Sequence, residues 1–359
     1  MIKVTNVLPT GAVSKLLESP ALRRYRESSL KVREDLDKAL SDEIPNYATE
    51  DANLVVFGSL ARGEWTSKSD LDWTYLIDGE ANTDHLRISQ EVNSTLVKNE
   101  FFEPGPTGTF GNMAFSHEIV HQIGGQSDTN KNTTQRVLLL LESCVIGKRS
   151  DAHERVLRAV INRYLEEDDH HLTSDSSRYR VPRFLLNDIV RFWRTMAVDF
   201  ASKQRDRGGK GWGLRNAKLR MSRKLIFASG LSICFGVYLD SQLNRQISTD
   251  KNDIKLNLLN HIRERVRLAP LEILADFMEK YAVPENITKE MFISYAEFLD
   301  LLNDEKARED LKALRASDSR TDSTFNRVRK ISEVFQRSLD HVFFENPKIA
   351  PLTRKYGVF

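Results

Sequence analysis

Cysteine is scarce in this sequence of 359 residues. Cys144 and Cys234 are the only two, and they lie far apart in apolar surroundings. Two such cysteines provide neither a disulfide framework nor a four-cysteine zinc site. We therefore expect both to be buried, reduced thiols.

An excess of charge of one sign is also missing. The 53 basic and 51 acidic side chains leave a formal net charge of only +2. This balance argues against a protein that coats nucleic acid over its whole surface, so any anion-binding site must be local. The length and the 40% apolar content suffice for two domain cores.

Targeting and membrane signals are absent from the sequence as well. The first residues, Met1 to Thr5, contain no basic segment followed by an apolar run, so we expect no signal peptide. The most apolar stretch, Leu225 to Leu239, is short for a bilayer and is interrupted by serine and glycine. We expect a soluble, cytoplasmic protein with no membrane partner.

Hydrophobic periodicity divides the N-terminal part of the chain into short elements. Apolar residues at helical spacing predict a helical lead-in over residues 1–45. Runs of β-branched and aromatic residues predict strands at Leu54–Phe57 and Asp72–Ile77. A helix over Thr83–Val97 and a third strand over Phe115–Ile123 follow.

Beyond Thr133 the apolar spacing is helical almost to the C-terminus. The predicted fold is therefore α+β. A small sheet domain with helices occupies residues 46–150, a mostly α-helical domain residues 151–345, and a C-terminal tail residues 346–359. We expect a Gly-rich, basic loop over Gln204–Gly213.

The strongest chemical pattern runs from Phe57 to Asp72. Gly58 and Ser59 follow the first strand, and about ten residues later Asp70-Leu71-Asp72 opens the second. Without a Cβ, Gly58 lets the backbone turn sharply beside a polyphosphate, while Ser59 offers a hydroxyl and an N–H group. Strand side chains alternate, so the two aspartates share one face and are placed to share a divalent cation.

Two neighbouring carboxylates repel each other unless a cation lies between them. Mg²⁺ relieves that repulsion and brings the phosphate oxygens of a nucleotide to the same point. The pattern therefore predicts transfer of a nucleoside monophosphate from a nucleoside triphosphate, with release of pyrophosphate. A surface turn with solvated acids is the alternative.

The pattern resembles the signature of polymerase-β-like nucleotidyltransferases. The matching parts are the Gly-Ser pair, the Arg62-Gly63-Glu64 segment in the gap, and Ser69-Asp70-Leu71-Asp72. The resemblance implies that Gly58 and Ser59 contact the triphosphate and that Asp70 and Asp72 bind Mg²⁺ or Mn²⁺. It also implies ATP or another nucleoside triphosphate as the donor.

Sites of this superfamily commonly contain a third carboxylate on a neighbouring strand. Glu118 is the candidate, with Asp128 in reserve, and an ion pair is the alternative role for Glu118. Arg62 is a candidate for neutralising phosphate charge. Lys68 has a weaker claim, because an exposed lysine in a turn is usually just solvated.

A competing motif surrounds Glu118. His117-Glu118-Ile119-Val120-His121 matches the H-E-x-x-H pattern of zinc metalloproteases, with Glu142 downstream as a candidate third ligand. That mechanism requires a helix, whereas we predict a strand here. We therefore expect at least one of the histidines to pack or hydrogen-bond beside the sheet.

A basic segment stands out from the balanced charge of the chain. Between Lys203 and Lys224 there are nine basic residues and one acid, Asp206. Its functional interpretation is a positive wall that holds the triphosphate or a phosphate-bearing acceptor, and its alternative is a solvated helix face. The basic residues are Lys203, Arg205, Arg207, Lys210, Arg215, Lys218, Arg220, Arg223 and Lys224.

A weaker resemblance concerns the same segment. Gly211-Trp212-Gly213-Leu214-Arg215-Asn216, with Thr134-x-Arg136 and Leu141-Glu142-Ser143, looks like the bacterial uridylyltransferases that modify nitrogen-signalling proteins. Trp212 interrupts the glycine pair of that branch, and Asn216 replaces its acid. Arg215 is a candidate nucleotide-binding residue on this basis, but neither the protein substrate nor the uridylyl donor is transferred.

The leading hypothesis is a metal-dependent nucleotidyltransferase that moves a nucleoside monophosphate, most simply AMP, to an acceptor hydroxyl. The acceptor is a protein, a small molecule, an RNA end or another nucleotide, and the sequence does not choose among them. The rival hypothesis is a non-catalytic nucleotide-binding or protein-interaction module on the same fold. The sequence favours neither a monomer nor a dimer.

Overall fold

The computed structural model describes residues 16, 18–102, 109–168, 172–174, 178–206, 209–245, 248 and 250–357. The chain forms two compact units. The first contains Arg24–Leu185 and Gln242–Ala269, and the second contains Leu186–Ser241 and the chain from Pro270 onward. These units divide the chain at other positions than the domain limits expected at residues 45, 150 and 345. Those limits stay predictions.

The helices and strands below are numbered in chain order. The strands are β1 Ala52–Phe57, β2 Trp73–Ile77, β3 Asn112–Phe115, β4 Ser143–Ile146, β5 Thr173–Ser174 and β6 Arg178–Tyr179. The α-helices up to residue 206 are α1 Pro20–Glu43, α2 Gly58–Arg62, α3 Thr83–Lys98, α4 Ser116–His121, α5 Asn130–Leu141, α6 Asp151–Glu167 and α7 Arg183–Asp206. The later ones are α8 Trp212–Lys218, α9 Lys224–Leu239, α10 Ser241–Arg245, α11 Lys251–Arg265, α12 Pro270–Lys280, α13 Glu285–Asn303, α14 Glu305–Ala313, α15 Ser323–Asp340 and α16 Ala350–Leu352.

Three π-helical segments and one 3₁₀ segment complete the secondary structure of the described residues. The π-helical segments are Leu219–Arg223, His341–Glu345 and Thr353–Gly357, and the 3₁₀ segment is Ala316–Asp318. Leu219–Arg223 continues directly into α9. The α+β fold class is confirmed, with a small mixed sheet in the N-terminal region and a mostly helical C-terminal region.

The sheet of the first unit has the strand order β3-β2-β1-β4. β1 pairs antiparallel with β2 and β4, whereas β2 and β3 are parallel. Every residue of β1 and β2 is buried, as expected for central strands rich in β-branched and aromatic side chains. One face packs on Leu36 and Leu40 of α1, on Ile44 directly after it, and on Ile88, Val92 and Leu96 of α3.

The predicted third strand, Phe115–Ile123, is wrong over most of its length. β3 ends at Phe115, and the chain then enters α4. Ile119, Val120 and Ile123 are buried while His117 and His121 are exposed. This spacing of buried positions has the period of a helix, whereas a strand buries alternate residues. β4 was also missed, because its pairing with β1 comes from a distant part of the chain.

A buried arginine connects three helices of the first unit. Arg136 on α5 is fully buried and forms a two-pronged ion pair with Asp128, with N–O distances of 3.1 and 3.0 Å. Its Nε donates to the Tyr164 hydroxyl on α6 at 2.7 Å. Its Nη1 donates to the Ile119 carbonyl on α4 at 3.3 Å. The guanidinium thus joins α4, α5 and α6 beside the sheet.

A buried histidine links α6 to the sheet on the face opposite α1 and α3. The His153 backbone N–H donates to the side chain of Asn53 on β1 at 3.0 Å, and its Nε2 lies 2.8 Å from the Ser143 hydroxyl. Burial lowers the pKa of His153 to about 4, against the weaker opposing effect of Glu154. The imidazole is therefore neutral in the folded protein at neutral pH.

We expect this histidine to make folding stability depend on pH. The unfolded chain binds the His153 proton near pH 6.5, whereas the folded chain binds it only near pH 4. The contribution of neutral His153 to the free energy of unfolding is constant above pH 6.5. About 3 kcal/mol of it is lost as the pH falls from 6.5 to 4. Urea unfolding at pH 7.5, 5.5 and 4 measures it. His153→Gln should flatten this dependence, whereas His121→Gln, at an exposed site, should leave it unchanged.

All regular secondary structure among the described residues of the second unit is helical. A continuous stretch, Trp212–Arg245, is long and apolar enough to cross a membrane by length and composition, so the sequence-based length argument was too strict. However, 72% of its most apolar window is buried inside the protein. Gly230 shows how tight the packing is, since an added Cβ would lie 2.9 Å from Ile189. These observations fit a core helix.

Candidate active site

The site begins where β1 ends and the chain turns into α2. Gly58 adopts a left-handed conformation with φ +69°, which disfavours any residue with a Cβ. A Cβ built on Gly58 would lie 3.4 Å from Oδ2 of Asp72. The turn that carries Ser59 therefore faces the Asp72 carboxylate directly, although fourteen positions separate Gly58 from Asp72.

The two aspartates lie just before β2. The Phe57 N–H donates to the Asp72 carbonyl at 2.8 Å, which extends the β1–β2 pairing by one residue. The Leu71 N–H donates to the Phe102 carbonyl at 3.0 Å, and Asp70 forms an isolated parallel β-bridge with Phe102. Leu71 is buried in the core, whereas Asp70 is exposed and Asp72 is half-buried. This alternation is the one expected for two carboxylates on one face of an extended segment.

Helix α1 supports the loop between the motif's two halves, a feature the sequence did not reveal. Arg33 donates from Nε to the Leu60 carbonyl at 3.1 Å and from Nη2 to the Ala61 carbonyl at 2.8 Å. These carbonyls end the short helix α2, so Arg33 satisfies acceptors that the helix leaves free. The Trp65 N–H donates to the Ser29 hydroxyl at 2.9 Å. Both contacts span long sequence separations and leave no local signal.

Arg62 points into a cluster of acids. Its Nε donates to Glu64 at 2.8 Å, and its Nη1 contacts Glu142, which ends α5. The three side chains are 8%, 4% and 1% exposed. Two carboxylates therefore compensate its charge inside the protein. This geometry favours a positioning role for Arg62, in place of the phosphate contact expected from the sequence.

The strand register argues against Glu118 as the third carboxylate. In the parallel β2–β3 pair, Thr74 lies opposite Asn112 and Ile77 opposite Phe115. Asp72 precedes β2, whereas Glu118 follows the far end of β3. From Asp72 to Ile77 the chain advances roughly 16 Å at the usual rise per residue. Glu118 is exposed on α4, at the opposite end of the sheet from the aspartates.

The reserve candidate, Asp128, is committed to the buried ion pair with Arg136. Over the described part of the chain, no group of three or more His, Cys, Asp or Glu side chains is placed to hold a metal ion. Asp70 and Asp72 therefore remain the candidate metal ligands. Their oxygen donors fit a hard divalent cation such as Mg²⁺, which commonly uses one or two carboxylates together with substrate phosphates.

The H-E-x-x-H segment is helical, which corrects the expectation of a strand. The rings of His117 and His121 lie one helical turn apart on α4, with centroids separated by 5.0 Å. The helix has only six residues. Glu142, the candidate third ligand, is bound to Arg62 instead. The pair thus lacks the third ligand of a zinc protease among the residues described.

Arg215 belongs to the second unit, on α8, where it is half-buried. The predicted loop over Gln204–Gly213 is shorter in the structure, because α7 continues to Asp206 and α8 begins at Trp212. Arg207 lies outside the described residues, as do the side chains of Lys203 and Arg205. The nucleotide-binding role of Arg215 stays a prediction.

Gly58→Ala tests the turn. Two glycines of the first unit have similar positive φ angles, +69° at Gly58 and +74° at Gly124, but a Cβ on Gly124 would meet nothing within 4 Å. Alanine at either position should lower the free energy of unfolding by about 1–2 kcal/mol through backbone strain. We expect nucleotide transfer to fall only in Gly58→Ala, because only that turn faces Asp72. Equal losses of activity in both variants would contradict the assignment.

Together these features define a class of protein: an α+β domain in which a glycine-serine turn faces an aspartate pair at one edge of a mixed sheet. Residues 34–103, which contain the turn and both aspartates, match the family model of the nucleotidyltransferase domain. The chain therefore carries a nucleotidyltransferase domain of the polymerase-β-like superfamily. No curated protein shows a significant match to the chain.

Proposed function

We propose that this protein is a metal-dependent nucleotidyltransferase. It transfers a nucleoside monophosphate, most simply AMP, from a nucleoside triphosphate to an acceptor hydroxyl and releases pyrophosphate. The observation that carries the proposal is the close approach of the Gly58 turn to the Asp72 carboxylate. A Cβ built on Gly58 would lie 3.4 Å from Oδ2 of Asp72. A side chain at position 58 would therefore occupy the space beside the Asp72 carboxylate.

Each residue of the site has a chemical task in this reaction. Asp70 and Asp72 hold the divalent cation, which supplies charge compensation to the phosphate oxygens when bound. Gly58 and Ser59 bind the triphosphate through backbone N–H groups and the Ser59 hydroxyl. Arg33 and Ser29 keep the connecting loop in place from α1, through bonds to the Leu60 carbonyl and the Trp65 N–H.

The acceptor carries a hydroxyl group, on a protein, a small molecule, an RNA end or a nucleotide. Its attack on the α-phosphorus forms a new phosphorus–oxygen bond and breaks the bond to the β-phosphate oxygen. The hydroxyl proton leaves to solvent or to a base, and pyrophosphate leaves with the electron pair. Asp70 and Asp72 would hold the cation, which would supply charge stabilisation to the entering and the leaving oxygen.

A second function has one specific observation in its favour. Among the described residues no group of three or more His, Cys, Asp or Glu side chains is placed to hold a metal ion, and a third carboxylate is the group that activates the acceptor in the family resemblance. A non-catalytic nucleotide-binding or protein-interaction module would need no such group. Because the whole glycine-serine and aspartate pattern is retained, we rank this alternative second.

The decisive experiment supplies each nucleoside triphosphate labelled at the α-phosphate, with Mg²⁺ or Mn²⁺, in the presence and absence of cell extract. Transfer predicts a labelled acceptor from the α-label and none from a γ-label, with release of pyrophosphate. Comparison of the four nucleotides identifies the donor. Nucleotide binding without labelled product under any condition would support the binding module instead.

A further inference from the structure

The second unit contains an open cleft between the start of α9 and one face of α15. Its volume is about 650 Å³. Four basic side chains line it, and one acidic side chain, Glu333, lies among them. The basic side chains are Arg220, Lys224, Lys330 and Arg337. In a chain whose overall charge is balanced, this concentration of one sign is local.

Helix geometry explains why these side chains converge. Lys330, Glu333 and Arg337 lie at intervals of three and four residues, which places them on one face of α15. Arg220 lies in the π-helical segment Leu219–Arg223 and Lys224 directly after it. Single π-helical turns inside α-helices occur frequently at functional sites. The cleft is thus built by two regular elements of the same compact unit.

The two cations on the π-helical side are held by neutral partners. Arg220 donates from Nε to the Asn216 side chain at 2.7 Å and from Nη1 to the Ser332 hydroxyl at 3.5 Å. Lys224 donates from Nζ to the Gln336 side-chain carbonyl. Among the residues the structure describes, none of the four cations of the cleft lies within salt-bridge distance of a carboxylate. The cleft lining therefore has four cations against one acid, Glu333.

The electrostatics of Lys224 agree with this geometry. Burial and the neighbouring Arg220 both lower its pKa, and Asp340 opposes them only in part. Asp340 accepts a hydrogen bond from the Gln336 amide at 2.6 Å, so it orients the partner of Lys224. A bound anion would relieve the repulsion between Arg220 and Lys224.

We propose that this cleft binds a phosphate-bearing small molecule through Arg220, Lys224, Lys330 and Arg337. Arginine suits bidentate contact with phosphate oxygens, and lysine supplies point charges around them. A cleft of about 650 Å³ has the size of small-molecule sites. The four cations are confined to it, which fits a compact di- or triphosphate group better than an extended nucleic-acid backbone. The cleft lies within the second unit, and its binding of phosphate does not depend on the proposed transfer reaction.

Binding is tested with the full chain in EDTA, on an Asp70→Ala/Asp72→Ala background, so that metal-dependent binding at the aspartates does not contribute. Calorimetry uses inorganic pyrophosphate as the first probe. Arg220→Gln/Lys224→Gln should weaken its binding at least about 10-fold, since two charge-assisted contacts are lost. The matched control is Lys306→Gln/Arg327→Gln, which removes the same amount of charge. Both residues are exposed and lie outside the cleft. It should change binding less than about 2-fold.

A second readout locates the ligand. Amine acetylation followed by mass spectrometry should show Lys224 and Lys330 protected by pyrophosphate, with Lys306 unprotected. If ATP binds more tightly than pyrophosphate in the same assays, the ligand is a nucleotide. If the two bind equally, the cleft recognises the phosphate group alone. Equal losses in both double variants, no protection of the cleft lysines, or tight binding of single-stranded RNA with none of pyrophosphate would overturn the proposal. Thermal unfolding confirms that the variants are folded.

Discussion

Asp70→Ala/Asp72→Ala is expected to lower transfer of the α-label at least about 1000-fold, which corresponds to roughly 4 kcal/mol of transition-state stabilisation. The two carboxylates are the only cation ligands proposed for this site. Without them the cation that compensates the phosphate charge is not held against the Gly58 turn. Label transfer measured at equal protein concentration, with Mg²⁺ and with Mn²⁺, gives the ratio directly.

The same variant should remain folded. Asp70 is exposed and Asp72 half-buried, and neither belongs to the hydrophobic core. Removing two neighbouring like charges also relieves repulsion between them. Asp84→Asn is the matched control, since Asp84 is 62% exposed on α3 and is not part of the site. Full transfer activity of the double variant would contradict the assignment of the site. An equal loss of activity in Asp84→Asn would point to a nonspecific charge effect.

Arg136→Met is expected to lower the free energy of unfolding by about 3–5 kcal/mol. The substitution leaves the Asp128 carboxylate buried without its partner, and it also removes the bonds to Tyr164 and to the Ile119 carbonyl. Helices α4, α5 and α6 lose their shared anchor together. Urea unfolding at neutral pH measures the loss, provided the transition remains a single cooperative step.

A second substitution separates the buried charge from the packing. Arg136→Met/Asp128→Leu removes both members of the ion pair and should recover part of the loss, because no uncompensated carboxylate remains. Arg87→Met serves as the control for an exposed pair, since Arg87 and Glu91 are 56% and 42% exposed. It should cost less than about 1 kcal/mol. Similar losses in Arg136→Met and Arg87→Met would contradict the assigned role of burial.

The pattern from Gly58 to Asp72 was readable because each of its parts acts locally. A glycine at the end of a strand predicts a turn, and Asp-x-Asp in an extended segment predicts two carboxylates on one face. The structure has a left-handed Gly58 and a buried Leu71 between more exposed aspartates. The nucleotidyltransferase domain match covers this same stretch.

The prediction of Glu118 as the third carboxylate depends on strand direction and register. The sequence around Glu118 has no feature that distinguishes a parallel from an antiparallel neighbour of β2. The parallel pairing of β3 places residues after Phe115 at the end of the sheet away from Asp72. The helix α4 was mistaken for a strand because its six residues are too few for the apolar pattern alone to separate a helix from a strand.

By itself, the sequence determined the α+β class, the turn at Gly58 and the aspartate pair, because local backbone geometry and side-chain alternation fix these features over a few residues. Tertiary structure alone decided which distant groups meet. It paired Arg62 with Glu142, Arg33 with the carbonyls that end α2, and Arg220 and Lys224 with the face of α15. Such contacts follow from how helices and strands pack. Sequence spacing does not encode that packing in any short pattern.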